Sequence, residues 1–597
     1  MATASLTERF RLLGLVGGRI LRNVVAFLQY GPFLQWRLGG GSNGTLLFAP
    51  QDLRTSDPTI AADIYSGRFA LSGQVVETPG RSVFRINPPS PEWAQALHTF
   101  SWLRHLRSSD SALASTNAKA LVMDWIETHS TWSDQAWEPE ATARRVIVWL
   151  SQSPMILKDA DHATYSAFVK SVTRQVRYLR QIAGRSEPGL PRLKIAIALC
   201  FASLAISSQR KFIRSSQRRL DAELEKQILN DGGHVSRDPS ALIDILADML
   251  PLRQTYTAEG SGATDVMQRC IDRMIPMLRF FRHGDGNFAH FNGTGATQTD
   301  LIATILAYDD ARGQPLSNAT FSGYQRVTAG SACLIMDTGT PPPIQYSSLA
   351  HAGCLSFEFS SGRQQIIVNC GAPSHHNKDW QHIARSTAAH STITVGDTSS
   401  CSFASAPGLP GGNTKAITSG PRNVPLGRED RQDRTIIRAS HDGYSTRYNL
   451  THDREITVDS SGQFLLARDI IRRPKSEKSE RTSFTARFHL HPAIKAARSE
   501  GGTILLTLPD GTGWQFTAEN MDTMLEESVY LSGLTGPRRT MQIVINSTVG
   551  HETIIDWSLQ NLSAENPRQT RPSTPESETA QLPLETGQGD SQDQSST

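Results

Sequence analysis

Between residues 375 and 392 the chain sets His375, His376, His382 and His390 close together, with Trp380 and Arg385 among them. Histidine is the side chain that takes and gives a proton near neutral pH. Arginine grips a carboxylate with two parallel N–H groups. A strand-like run at 365–370 precedes this segment and another at 392–395 follows it. The pattern predicts a long polar loop held between two strands, where a rigid scaffold presents reactive groups. The competing reading is a solvated loop whose histidines are simply hydrogen-bonded.

Three other clusters carry chemistry-bearing residues. Asp231-Gly232-Gly233-His234-Val235-Ser236-Arg237-Asp238-Pro239 sits between two helical patterns. Its glycines allow a tight turn, from which His234 can act as a base and Arg237 can neutralise a carboxylate. The alternative is a capped turn in which Arg237 pairs with Asp238 or Asp231. A second cluster, 283–293, holds His290, Asn292, Phe288 and Phe291. Its aromatics either stack on sugar rings or fill a domain junction, and Asn292 suits a hydroxyl or a carboxylate. The third is His351, ahead of a strand-like run, which with Asn369 and His390 makes a small polar group. Metal ligation by His351 is the weaker reading there, because an asparagine is a poor divalent-metal ligand. His489 and His491 share one strand face and read as structural.

The elements that must position these residues divide the chain in two. From about residue 91 to 282, apolar residues recur at i, i+3 and i+4 in segments near 117–129, 140–151, 162–183, 192–207, 217–230, 240–249 and 265–282. Consecutive helices with short connectors pack as antiparallel hairpins, giving a bundle, a solenoid or a closed toroid. Beyond about residue 323 come short alternating runs rich in Val, Ile, Thr and Phe, the signature of an antiparallel sandwich. From about residue 564 the chain is Ser, Thr, Gln, Glu and Pro, a composition that predicts disorder.

Composition narrows the function. Sixty basic and 57 acidic residues leave a net charge of +3, too balanced for a nucleic-acid binder that works by neutralising phosphates. Six scattered cysteines with no CxxC pair argue for buried thiols rather than a zinc ribbon or a disulfide framework. The segment 6–38 intersperses Arg9, Arg11, Arg19, Arg22 and Arg37 with apolar residues. It reads equally as a membrane-surface helix or as a basic helix packed on the first domain. No export signal stands out, and no run approaches the ~20 apolar residues of a spanning helix.

Taken together, 231–239, 284–293, 351–362, 368–371, 384–395 and 441–444 resemble the heparinase II/III-like polysaccharide lyases, over about residues 50–560. The resemblance implies a basic amphipathic segment at 1–48, an (α/α) toroid at 49–318 and an antiparallel β-sandwich at 319–563, with the active cleft between the two domains. It implies β-elimination at uronic acid residues of an acidic polysaccharide or oligosaccharide. That chemistry needs a neutralised carboxylate, a base for the C5 proton and an acid for the departing glycosidic oxygen. On this reading His234 and His390 are candidate catalytic histidines, with His234 the base. Arg237 or Arg385 neutralises the carboxylate, and Tyr256 is the nearest tyrosine for the acid. His290, Asn292 and Trp380 would contact substrate. No cofactor is required; a divalent metal at His351 is the optional addition. The resemblance suggests a periplasmic or envelope location, with the cytoplasm as the alternative. Several family positions differ here: Ala241 and Leu242 replace a Tyr-His pair, Gly189 falls near an expected Asn, Leu349 replaces a histidine, Gly353 an acid, and Asn369 an aspartate. These departures keep a second function in view, a catalytically diverged carbohydrate-binding or envelope-associated protein.

Overall fold

Helix starts in the first half are encoded by a capping side chain ahead of a helical run. Ser90 accepts from the Trp93 N–H before Pro91–Thr99, Asp161 from Thr164 before His162–Ile182, and Thr264 from Met267 before Asp265–Phe280. Each satisfies a backbone donor that the helix itself leaves open, worth about 1 kcal/mol. The computed structural model describes residues 44–563 except 109–111, 134, 261, 309–312, 374–377, 405–415, 474–480 and 534–535, together with 14, 17 and 18. The 564–597 tail and almost all of the 1–43 segment lie outside the described residues.

The helices make an (α/α) toroid. Leu190–Ala205 is apolar nearly all round and is buried along its length, packed against Pro139–Ser151, Ile213–Gln227 and Ser240–Ala258. A helix with no polar face must sit inside. Phe100, Trp125 and Trp149 fill the adjoining core, with ring centroids 5.2–6.2 Å apart. The expected helix near residue 91 breaks at Phe100, which takes a left-handed conformation (φ 57°) before a 3-10 stretch, Ser101–Ser108.

The second half is an antiparallel β-sandwich. One sheet runs Leu426–Asp430, Arg434–Tyr444, Leu450–Asp459, Phe464–Arg472, Glu552–Asn561, Gly513–Ala518, Ile504–Thr507, Lys495–Arg498. The other runs Met524–Tyr530, Arg538–Val549, Thr482–Leu490, Gln364–Val368, Phe357–Ser361, Ala332–Asp337, Tyr324–Ala329, Asn318–Ala319, with Ile393–Val395 pairing Thr482–Leu490. Inward residues alternate with outward ones, as in the strict pattern of Leu450–Asp459. Phe357 and Phe488 from one sheet meet Trp557 from the other at 5.6 and 4.7 Å.

The two domains are joined by aromatic packing. Tyr324 lies against Phe281 and Phe291 at 5.0 and 5.3 Å, and Arg326 donates to the Phe280 and Arg282 carbonyls. Phe288 and Phe291 are therefore junction core, not sugar platforms. The predicted loop ahead of residue 392 contains a helix, Lys378–Arg385, and a 3-10 turn, Thr387–Ala389.

Candidate functional site

A chain of hydrogen bonds crosses from the toroid to the sandwich. Tyr324 Oη donates to the Arg237 carbonyl at 2.7 Å and accepts from Asn292 Nδ2 at 2.6 Å. Asn292 Oδ1 in turn accepts the His351 backbone N–H at 3.0 Å. Asn292 holds a left-handed conformation (φ 46°), which asparagine tolerates better than most residues. Its side chain is thus spent on fixing the turn that carries His351.

The His351 and His390 rings form a directed pair. His390 Nδ1 lies 2.8 Å from the Ser386 carbonyl, which only accepts, so this nitrogen carries the proton. His390 Nε2 is then a lone pair, and His351 Nδ1, 3.1 Å away, donates to it. The network therefore assigns His351 Nε2 as an unprotonated nitrogen. It meets no hydrogen-bond partner among the described residues. Burial, with His390 and Arg385 nearby, holds the His351 pKa well below its ordinary range, so the ring is neutral at pH 7.

Arg385 is tied to the same turn. Its Nε donates to the Ala350 carbonyl at 2.8 Å and Nη2 to the Ser347 carbonyl at 3.1 Å, while the guanidinium lies 4.6 Å over Phe403. Nη1 has no partner among the described residues. A lone-pair nitrogen and an unbonded guanidinium nitrogen therefore arise from one turn, 347–351, and the helix end that packs on it.

The other expected site residues lie elsewhere. His234 is buried: Nδ1 accepts from the Ser236 N–H, and Nε2 reaches Gln227 Oε1 at 3.1 Å. Both ring nitrogens are engaged, and burial drops the pKa to about 3. Arg237 spends all five N–H groups on Ser322, Gly323, Gly339, Thr340 and Asp337, leaving none for a substrate carboxylate. Its pairing with Asp337, at 2.6 Å, replaces the expected one with Asp238 or Asp231. Tyr256 is fully buried inside the toroid beside Cys200, too deep to meet a leaving group. His290 packs against Glu358, its Nδ1 3.3 Å from Oε1 and its backbone N–H on the same oxygen. His283 takes the other oxygen of Glu358 at 3.2 Å. Trp380 is half-buried against a small cluster around Cys370 and Leu531. His382 is exposed on its helix, and His375 and His376 lie outside the described residues. The metal reading for His351 finds no support: the described residues contain no group of three His, Cys, Asp or Glu suited to an ion.

The sequence model of the heparinase II/III-like C-terminal domain matches residues 311–558. FtsZ-localized protein C of Caulobacter vibrioides is 31% identical over 525 residues, covering 85% of this chain and 89% of that protein. The chain belongs to the heparinase II/III-like family. Among solved structures, heparinase III superposes with a TM-score of 0.69 at 13% identity, over 92% of this chain and 91% of that one. A mutant heparan sulfate lyase from Pedobacter heparinus gives 0.60 at 14%, over 86% and 85%. At such identities the likeness is one of fold.

Against the heparinase II/III-like pattern, the departures noted in the sequence each have a physical counterpart. Ala241 and Leu242 are sealed into the first turn of Ser240–Ala258. Gly189 (φ 94°) faces Tyr346, whose Cδ1 would be 3.2 Å from an added Cβ. Tyr346 thus reaches the toroid near the expected Asn position from the sandwich side, on the stretch just before Ser347. A Cβ at Gly353 would fall 2.8 Å from His390 Cδ2, so an acid there is incompatible with the ring's position. Asn369 Oδ1 accepts the Ser391 N–H, fixing the residue after His390. The opposite sheet buttresses the same loops. Arg454 donates to the Leu355 and Ser391 carbonyls and is held by Asp469 at 2.7 Å.

The buried histidines set a pH dependence. His98, His234 and His489 are pushed to about 3, and His105 and His390 to about 4, mainly by burial. The unfolded chain protonates them from about pH 6.5 downward while the fold resists, so stability is lost as pH falls through that range. His283 has the opposite sign. Burial opposes its charge, but bonding to Cys333 and Glu358 lifts it to about 9, and its contribution is lost as pH rises through that value. The melting temperature should peak near pH 7 and fall more steeply on the acid side. A melting temperature that rises from pH 7 to pH 5 would contradict these assignments.

Proposed function

We propose that the chain is a polysaccharide lyase that performs β-elimination at uronic acid residues of an acidic glycan, at the turn 346–351. The observation that carries this reading is that the turn 347–351 bears His351, whose Nε2 is a lone-pair nitrogen, and through its carbonyls also holds Arg385, whose Nη1 is left unbonded among the described residues. Arg385 would bind the uronate carboxylate and so acidify the neighbouring C5 proton. His351 Nε2 would take that proton, with its tautomer fixed by His390. The C5–H electron pair becomes the C4=C5 double bond as the C4–O bond breaks. The departing oxygen takes a proton from Tyr346, which is half-buried beside Gly189.

A second reading has its own observation. Ala241 and Leu242 leave the family's Tyr-His position apolar and closed, which favours a glycan-binding protein that no longer eliminates. The Caulobacter relative is named for its localisation with FtsZ, not for an activity, which also suits that reading and an envelope-associated role. Incubation with heparan sulfate, alginate, hyaluronan and crude envelope glycan separates them. Growth of the ultraviolet absorbance of an unsaturated product supports elimination. Binding without absorbance supports the second reading, and neither binding nor absorbance on any acidic glycan removes both.

A further inference from the structure

The loop that fixes His390 also closes over a second set of polar groups. Arg487 and His489 alternate along Thr482–Leu490 with the core residues Ala486 and Phe488, so they stand on the outer face of their sheet. Ser386, Ala388 and Ala389 lie over that face, and a cavity of about 390 Å³ remains between. Its volume falls within the range of small-molecule sites. Ser528 and Val529, from the strand Met524–Tyr530, complete the wall. His351, Arg385 and His390 do not line it. One loop therefore serves two places: the Ser386 carbonyl holds His390 Nδ1, and the Ala388 carbonyl holds His489 Nε2.

The cavity has one cation. Arg487 is half-buried, and its Nη1 donates to Thr394 Oγ1 at 2.5 Å. Its Nε and Nη2, which form one edge of the guanidinium, have no partner among the described residues. Burial pushes its pKa down, and Asp397 and Glu526 act in the opposite sense from beyond ion-pair distance. A partly desolvated cation with no ion pair is stabilised by an anion brought to it. Glu527, the acid on the wall, is exposed, and its backbone carbonyl accepts from Gln542 Nε2 at 3.3 Å.

The hydroxyls around Arg487 are acceptors. The Ala388 carbonyl can only accept, so the His489 proton sits on Nε2, 3.0 Å away. Nδ1 is then a lone pair and takes the Ser528 hydroxyl proton at 2.7 Å; the Cys370 thiol, at 3.6 Å, is the more distant donor. Ser386 gives its own hydroxyl proton to the Ile383 carbonyl at 2.7 Å. Both serine oxygens keep lone pairs for a donor from outside. Cys370, Ala389 and Val529 add an apolar floor.

We propose that this cavity is a second carbohydrate site, which binds a single uronate residue with its carboxylate on the Nε–Nη2 edge of Arg487. A planar carboxylate matches that edge with two parallel hydrogen bonds. Sugar hydroxyls supply the donors that Ser528 and Ser386 accept, and the C–H face of the ring covers the apolar floor. The ligand class is shared with the elimination reading, but the site is separate from the turn 346–351 and needs no chemistry there.

The test uses the full-length protein and isothermal titration calorimetry with sodium glucuronate as the probe. Glucose, which lacks the carboxylate, and acetate, which lacks the hydroxyls, should each bind at least about tenfold more weakly. Arg487→Gln keeps a donor for Thr394 and should lower glucuronate affinity by about the same factor. Ser528→Val puts methyl groups into the cavity without touching Arg487 and should also lower it. Arg385→Gln, at the turn, should leave a glucuronate site that responds to Arg487→Gln. Glucose or acetate binding as tightly as glucuronate overturns the proposal, as does no glucuronate binding at all. Binding that survives both cavity variants and is lost with Arg385→Gln assigns uronate to the turn alone, which overturns the cavity site and leaves the elimination reading standing. Absence of the unsaturated product, with glucuronate binding still dependent on Arg487, removes elimination and supports the cavity site.

Discussion

Replacing Arg237 with methionine should destabilise the protein by roughly 3–5 kcal/mol, the usual cost of removing one partner of a buried ion pair. The guanidinium is buried at the joint between the toroid and the sandwich, and every N–H it carries is used. Nε donates to Ser322, Nη1 to Gly339 and Thr340, and Nη2 to Gly323 and Asp337. Its planar face lies 4.6 Å over Tyr324, and Gly339 approaches so closely that an added Cβ would sit 2.5 Å from Nη2. Methionine fills part of the volume but leaves the Asp337 carboxylate and four carbonyls without their donor. Burial opposes the charge on Arg237, yet Asp337 more than offsets it and holds the pKa above its ordinary value, so the guanidinium is charged; burial raises the Asp337 carboxyl, and Arg237 acts against that rise. The double variant Arg237→Met/Asp337→Asn should recover part of the loss, because it removes the stranded charge. Urea denaturation reads both. A loss below about 1 kcal/mol for the single variant would mean that the joint does not depend on this pair.

Arg237 also shows where reading by sequence stops. Its type and its glycine-rich turn marked it as important, but its ion-pair partner, Asp337, is 100 residues away. Nothing in the local spacing points there, and Asp231 and Asp238 are nearer in sequence. Asp231 in fact bonds Ser322, and Asp238 bonds Ser240 and Thr294. His390 and Arg385 were legible because the two flanking strand-like runs exist and hold them. His351 stood out as a polar residue at the mouth of a strand, although its working nitrogen is set by a ring 39 residues later. Tyr346 gave no signal, since its place depends on Gly189 in another domain.

The fold follows the same logic. The clean apolar period near 162–183 matches the helix His162–Ile182 to within a residue. The strand Leu450–Asp459 is harder to read, because His452 and Arg454 occupy inward positions and break the apolar alternation. They are tolerated there by Asp469, which takes a hydrogen bond from each and one from Trp557 Nε1. A buried charge that is fully bonded looks, in a bare sequence, like a surface residue.

Replacing His351 with alanine should reduce elimination by roughly 10²–10⁴-fold while leaving glycan affinity nearly unchanged, as expected when a general base is removed and Arg385 stays. His390→Ala should cost less. It acts through His351 by accepting the Nδ1 proton, so its loss frees the His351 ring to adopt the other tautomer and does not remove the base itself. The two variants should also differ in pH profile. Burial and the neighbouring His390 and Arg385 depress the His351 pKa, so the acid limb of the wild-type kcat/KM profile should fall well below pH 6.5. Without His390, one of those depressing neighbours is gone, and the limb should move toward neutral pH. An acid limb at or above pH 6.5 in the wild type would exclude His351 as the base in this environment. If the protein binds without eliminating, the same substitution becomes a binding experiment. His351→Ala would then remove a hydrogen-bond acceptor from the site and lower affinity, with Arg385→Ala lowering it further because the carboxylate loses its cation. The direction of the effect, on turnover or on affinity, therefore distinguishes the chemistry performed at one and the same turn.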